Sequence, residues 1–154
     1  PMGEPGPDAP ALPSGLWAWA EVLSAVPLLT QPLFEAFVPQ MLNYESVGGV
    51  NFKKGCYPGQ EVVARSQFRG TLKRRMARVY SPVALSAGQE VFTLADAEQA
   101  CGTVVQAAAR PDSQGWDALV SGTLESMAAG WRLGSAQGPA LDILPLPYAL
   151  LEDI

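Results

Sequence analysis

The chain has 154 residues, 10 basic and 15 acidic, for a formal net charge of −5, and it contains no histidine. The missing imidazole excludes Ser–His and Cys–His catalysis within the chain, and two cysteines, Cys56 and Cys101, are too few for a Cys₄ site or a disulfide framework, so no metal centre is expected. With 48% apolar and 16% charged residues, the composition is that of a packed domain, and no apolar run approaches the roughly 18 residues of a membrane span.

Residues 1–14 hold five prolines and two glycines and read as a flexible leader. The chain starts at Pro1 rather than Met and reads as a piece of something longer. Leu16, Trp19, Ala20 and Leu23 recur at helical spacing, with Ser14 as N-cap and Pro27 as the stop. Phe34 to Leu42 is a weaker helical or irregular piece broken by Pro39. Gly48-Gly49 turns into a short strand or extended arm at Val50-Asn51-Phe52. A helix over Glu61–Phe68 closes at Gly70. From there the period changes: Met76, Arg78 and Tyr80 alternate with Ala77 and Val79 as a half-buried strand. Glu90–Leu94, Gly102–Ala107, Ala118–Gly122 and Leu141–Leu144 are further strands between Gly, Pro and Asp/Ser turns. The expected fold is α+β: a leader over 1–14, a mixed part over 15–70 and a small antiparallel barrel or sandwich over 71–154.

Charge is concentrated. Eight of the ten basic residues lie between Lys53 and Arg78 with Glu61 as the only acid, which sets that window at +7 and the remainder at −12. Lys53, Lys54, Arg65, Arg69, Lys73, Arg74 and Arg75 form either a landing surface for an anion or a solvated face. Sequence-specific RNA recognition needs aromatics among the basics, and only Tyr57 and Phe68 qualify, so a weak, salt-sensitive tRNA contact is the most this window supports.

The most unusual chemistry lies in Lys53-Lys54-Gly55-Cys56-Tyr57-Pro58-Gly59-Gln60-Glu61. Pro58-Gly59 suits a tight turn with positive φ at the glycine. A helix starting at Gly59 or Gln60 would aim free N–H groups back at Cys56, and two lysines add positive potential. These influences favour a thiolate; the alternative is a small buried cysteine beside turn glycines. Cys101, at a strand start, reads as structural. With no secretory segment, both thiols are expected free in the reducing cytoplasm.

This segment, with Phe37-Val38-Pro39-Gln40 and Gly48 to Arg65 around it, closely resembles the YgfZ family, folate-binding relatives of the glycine-cleavage T-protein (aminomethyltransferase). The family signature is K-G-C-Y-x-G-Q-E. The resemblance continues through Phe68-Arg69-Gly70, Lys73-Arg74 and Leu144-Pro145-Leu146-Pro147-Tyr148, and a W-x9-P segment begins at Trp17. It implies the C-terminal half of a T-protein-like fold that ends in a β-barrel.

The resemblance also implies a tetrahydrofolate-binding accessory protein without catalytic activity of its own, tied to the assembly or maintenance of iron–sulfur enzymes and to tRNA modification. Its partners would be folate and iron–sulfur proteins or their assembly factors, with no membrane. As an enzyme, it would be a folate-dependent aminomethyl or one-carbon transferase; against that, T-protein lacks the signature cysteine. By the same resemblance Cys56 is the functional thiol, and Lys54, Tyr57, Gly59, Gln60 and Glu61 are its cofactor-site neighbours. Trp17 takes the place of a tryptophan lining the folate pocket, with core packing as its alternative. T-protein relatives carry an acid six residues after this tryptophan; here it is Leu23, which cannot accept a pterin N–H.

Overall fold

The computed structural model describes residues 12–68, 72–112 and 114–151. Its helices are α1 (Ser14–Ser24), α2 (Gln60–Phe68) and α3 (Leu124–Ala129), and short 3-10 turns cover Gln31–Leu33 and Pro39–Leu42. Its strands are β1 (Arg74–Ser81), β2 (Glu90–Phe92), β3 (Gly102–Ala109), β4 (Trp116–Thr123), β5 (Trp131–Leu133) and β6 (Ala140–Leu144). They close an antiparallel barrel in the order β1-β4-β3-β2-β5-β6. The fold is therefore α+β, and of the two expected strand arrangements it is the barrel. Most of the leader, Arg69 and the expected helix stop at Gly70 lie outside the described residues.

The alternation read from the sequence fills the barrel. Ala77 and Val79 of β1 meet Val104, Ala118, Val120, Trp131 and Leu141 inside it. Trp131 fits because its neighbour is Gly122: a Cβ there would collide with the six-membered ring of the indole. The indole Nε1–H donates to Ser126 Oγ at 2.8 Å, and α3 holds that serine through its Thr123 N-cap. Neither α3 nor β5 was expected from the sequence. β5 has only three residues, too few to show an alternation; β2 is as short but falls within the expected Glu90–Leu94.

The outer face of the barrel carries the second core. Met76, Val105, Ala108 and Leu119 pack under Val22 of α1, under Ala25 just past it, and under Leu33 and Leu42. Val22 and the C-cap residue Ala25 are fully buried and Trp19 partly so; of the expected Leu16, Trp19, Ala20 and Leu23, only Ala20 is exposed, and Leu16 and Leu23 are half-buried. A polar anchor sets this face: Trp19 Nε1–H donates to Asp117 Oδ2 at 2.7 Å and fixes the helix rotation. Pro13, rather than Ser14, takes the N-cap place, and the helix ends with Ala25 left-handed at φ 51°, two residues before the chain-stiffening Pro27. Val50-Asn51-Phe52 forms no strand.

Polar ties hold the segment between α1 and α2 onto the barrel. The Asn43 side chain takes both the N–H (3.2 Å) and the C=O (2.8 Å) of Met76, as a neighbouring strand would. Ser121 Oγ donates to Met41 O at 2.8 Å. Buried Gln40 then donates from Nε2 to Val63 O at 2.7 Å, so a continuous relay runs from β4 through the Pro39–Leu42 turn to α2. Among the described residues no helix is long and apolar enough to cross a membrane.

Candidate functional site

The signature segment is a loop folded back along α2. Its entry is pinned where Phe52 meets Phe68 edge-on, ring centroids 5.1 Å apart. Its exit is the helix start at Gln60, eight residues earlier on the same helix, or about 12 Å at 1.5 Å per residue. Asn51 Oδ1 accepts the Lys53 N–H at 2.8 Å. The Lys54 ammonium lies 4.8 Å over the Tyr57 ring, a contact worth about 0.5–1 kcal/mol when exposed. The Gln60 side chain turns back and accepts the Tyr57 N–H at 3.3 Å. Gly59 sits at φ +83°, which makes glycine the natural residue for that turn.

Cys56 projects from this loop, exposed, four residues before the helix. The buried-cysteine alternative does not hold. No hydrogen bond reaches its sulfur among the described residues. Lys54, Tyr57, Gly59, Gln60 and Glu61 share this loop and the first turn of α2, where Lys54 meets Tyr57 and Tyr57 meets Gln60. Glu61, in the first turn of α2 where a negative charge is favoured, pairs with Arg65 at 2.6 Å on the exposed face. Cys101 differs: it is half-buried against the barrel core, its sulfur 3.3 Å from Val91 O.

Trp17 stands apart from this group. It lies on α1, which packs on β3 and β4, whereas α2 packs on the Pro39–Leu42 turn. Trp17 is 71% exposed, so the core-packing alternative for it fails. Its Nε1–H donates to Glu21 Oε1 at 3.0 Å, and Gln106 Nε2 reaches the other Glu21 oxygen at 3.4 Å. Sequence reasoning missed Glu21; its i, i+4 spacing from Trp17 was the available signal.

The basic window divides. Arg75 is 7% exposed and pairs with Glu45, itself 6% exposed. It also donates to Leu151 O at 2.9 Å. Arg75 therefore ties Leu151 to the barrel and is not part of any landing surface. The reason is that the outer face of β1 is covered at that end, which a charge count cannot reveal. Lys53, Lys54 and Lys73 are exposed. Lys73 and Arg74 rim a cleft of about 370 Å³ between the Pro39–Leu42 turn, α2 and the start of β1, walled also by Ser66 and Thr123. Among the described residues no group of three or more His, Cys, Asp or Glu side chains is placed to hold a metal ion.

The chain is 33% identical over 141 residues to the tRNA-modifying protein YgfZ of Photorhabdus laumondii subsp. laumondii, covering 89% of this chain and 43% of that protein. It is 34% identical over 148 residues to the protein of the same description from Vibrio atlanticus, covering 90% of this chain and 44% of that one. The Cronobacter sakazakii protein of that description is 32% identical over 148 residues, 90% of this chain and 44% of its own length. The chain thus spans less than half the length of these curated relatives. No protein-family profile matches it.

Proposed function

We propose, on the premise that this chain is a relative of the YgfZ proteins, that it belongs to a folate-binding accessory protein of tRNA modification that works with iron–sulfur enzymes through the thiol of Cys56. The observation that carries this reading is the exposure of Cys56 on a loop pinned at Phe52, Tyr57 and Gln60. A thiol held out on an ordered loop is open to a macromolecular partner, and the lysines beside it favour a negatively charged one. Lys53, Lys54 and Lys73 supply sequence-independent phosphate contacts of the kind that give weak, salt-sensitive affinity for tRNA.

For tetrahydrofolate, the exposed Trp17 indole suits stacking on a flat pterin. Glu21 beside it offers the carboxylate acceptor that Leu23 does not. These residues furnish one wall of a pocket, as is usual where small-molecule sites lie between domains. Bound there, folate would supply one-carbon chemistry; the residues of this chain would orient its ring.

The role is tested by mass spectrometry of nucleosides from total tRNA of cells with the gene deleted and restored. The reading expects one or more modified nucleosides to fall on deletion and return on restoration. An unchanged nucleoside profile would remove tRNA modification from the account.

A further inference from the structure

On the outer face of the barrel, beside α1, a cleft of about 320 Å³ opens against two guanidiniums, those of Arg78 and Arg110. The strand register explains why they converge. Arg78 and Tyr80 are two apart on β1 and share a face, and Tyr80 pairs across to Asp117 of β4. Arg110, just past β3, lies 4.4 Å over the Tyr80 ring. It donates from Nε at 3.0 Å and Nη2 at 2.9 Å to the two oxygens of Asp117. With the Trp19 bond, three donors converge on that carboxylate. Burial is the largest influence on Asp117 and pushes its pKa up, but the hydrogen bonds from Arg110 and Trp19 and the charges of Arg110 and Arg78 outweigh it and hold it below the usual carboxylate range.

Arg78 has no such partner. Among the described residues it forms no ion pair, and its Nε is shielded from solvent without an acceptor. Asp112, the other acid at the cleft, is exposed and turns one oxygen to the Gln114 N–H at 3.0 Å. The guanidinium of Arg78 thus stands at the cleft without a counter-charge of its own, and an anion in the cleft would supply one. The rest of the wall is largely carbon, from Trp19, Leu23 and Pro111.

We propose that this cleft binds a small organic anion, a carboxylate or phosphate monoester on a short apolar body. Its charged head pairs with Arg78, and its carbon body lies against Leu23, Pro111 and Trp19. Arg110 and Asp117 are not the anchor; they neutralise each other and hold the cleft open by fixing Trp19. The site is separate from the Cys56 loop and stands or falls independently of it.

Titration of the intact protein with benzoate and with phenyl phosphate, followed by the ¹H–¹⁵N resonances of the Trp19 indole and the Arg78 Nε–H, tests this. Saturable shifts of both resonances are expected with at least one probe, and the tighter probe identifies the head group. Arg78→Gln should weaken binding by about tenfold or more, the loss expected for a charge-assisted hydrogen bond. Leu23→Glu, which stands a competing carboxylate in the wall, should weaken it as well, and Arg65→Gln should leave it unchanged. Shifts that fail to saturate with either probe, or an affinity untouched by Arg78→Gln and Leu23→Glu, would overturn the proposal. In that case a trapped water satisfies Arg78.

Discussion

Cys56 and Cys101 sit in opposite surroundings, and the difference is measurable. Cys56 is on an exposed loop, whereas Cys101 backs onto the barrel with its sulfur against Val91 O. A Cys101→Ser variant should therefore be alkylated by iodoacetamide much faster than a Cys56→Ser variant under native conditions. Equal rates would contradict the geometry. The exposure of Cys56 was legible because Pro58-Gly59 dictates a turn, and turns lie at the surface. The burial of Arg75 was not legible: its partner Glu45 lies 30 residues away, and nothing local marks either as an interior charge. Removing one partner strands the other, so Glu45→Ala should cost about 3–5 kcal/mol in urea unfolding, while a similar change at exposed Glu61 should cost under about 1 kcal/mol. Asp117 adds a pH dependence. Its folded pKa lies below its unfolded value, so the stabilisation is complete above the ordinary carboxylate range and is lost as pH falls through the folded value. Urea midpoints measured from neutral pH into acid should fall for the native chain and less steeply for Asp117→Asn, which starts from a lower midpoint. Parallel acid limbs would rule out this linkage.

β1 was readable from its alternation and the other expected strands from the turns that bound them, since β4 is buried on both faces and shows no alternation. The rotation of α1 was not readable, since three apolar stripes compete on a helix containing Leu16, Trp17, Trp19, Val22 and Leu23. The hydrogen bond from Trp19 to Asp117, 98 residues apart, decides among them. The position of α2 likewise rests on the Ser121–Met41–Gln40–Val63 relay, which no sequence period encodes. Replacing Gln40 with Leu should leave the barrel intact but raise amide hydrogen exchange across 60–68 relative to 74–81. A uniform increase across both would mean that α2 and the barrel open as one unit. Gly122→Ala should destabilise by about 1–3 kcal/mol through collision with Trp131. A Trp131→Phe background, with less ring to displace, should relieve part of that loss.

For the whole molecule, the +7 of the basic window overstates the field available to a partner. Arg75 is neutralised inside and Arg65 is paired with Glu61; among the described residues of the window this leaves Lys53, Lys54, Lys73 and the half-buried Arg74 on the signature side, and Arg78 at the cleft beside α1. Replacing the three lysines with Gln should hardly move the melting temperature, because exposed charges contribute little. It should weaken tRNA retention and lower the salt slope by roughly 0.7–0.9 for each phosphate that the lysines no longer neutralise. An unchanged slope would show that tRNA, if bound, is held elsewhere. The fold class and the signature were legible in 154 residues; the partition of charge between interior and surface was not, because it depends on which face of β1 the rest of the chain covers.

The central claim is that Cys56 is the working group of a protein serving tRNA modification. Its most direct test is complementation of the gene deletion by the intact protein carrying Cys56→Ser or Cys101→Ser, with expression levels matched and tRNA nucleosides quantified. The account predicts that Cys101→Ser restores the modified nucleosides to the wild-type level and that Cys56→Ser does not. Full restoration by Cys56→Ser would contradict it.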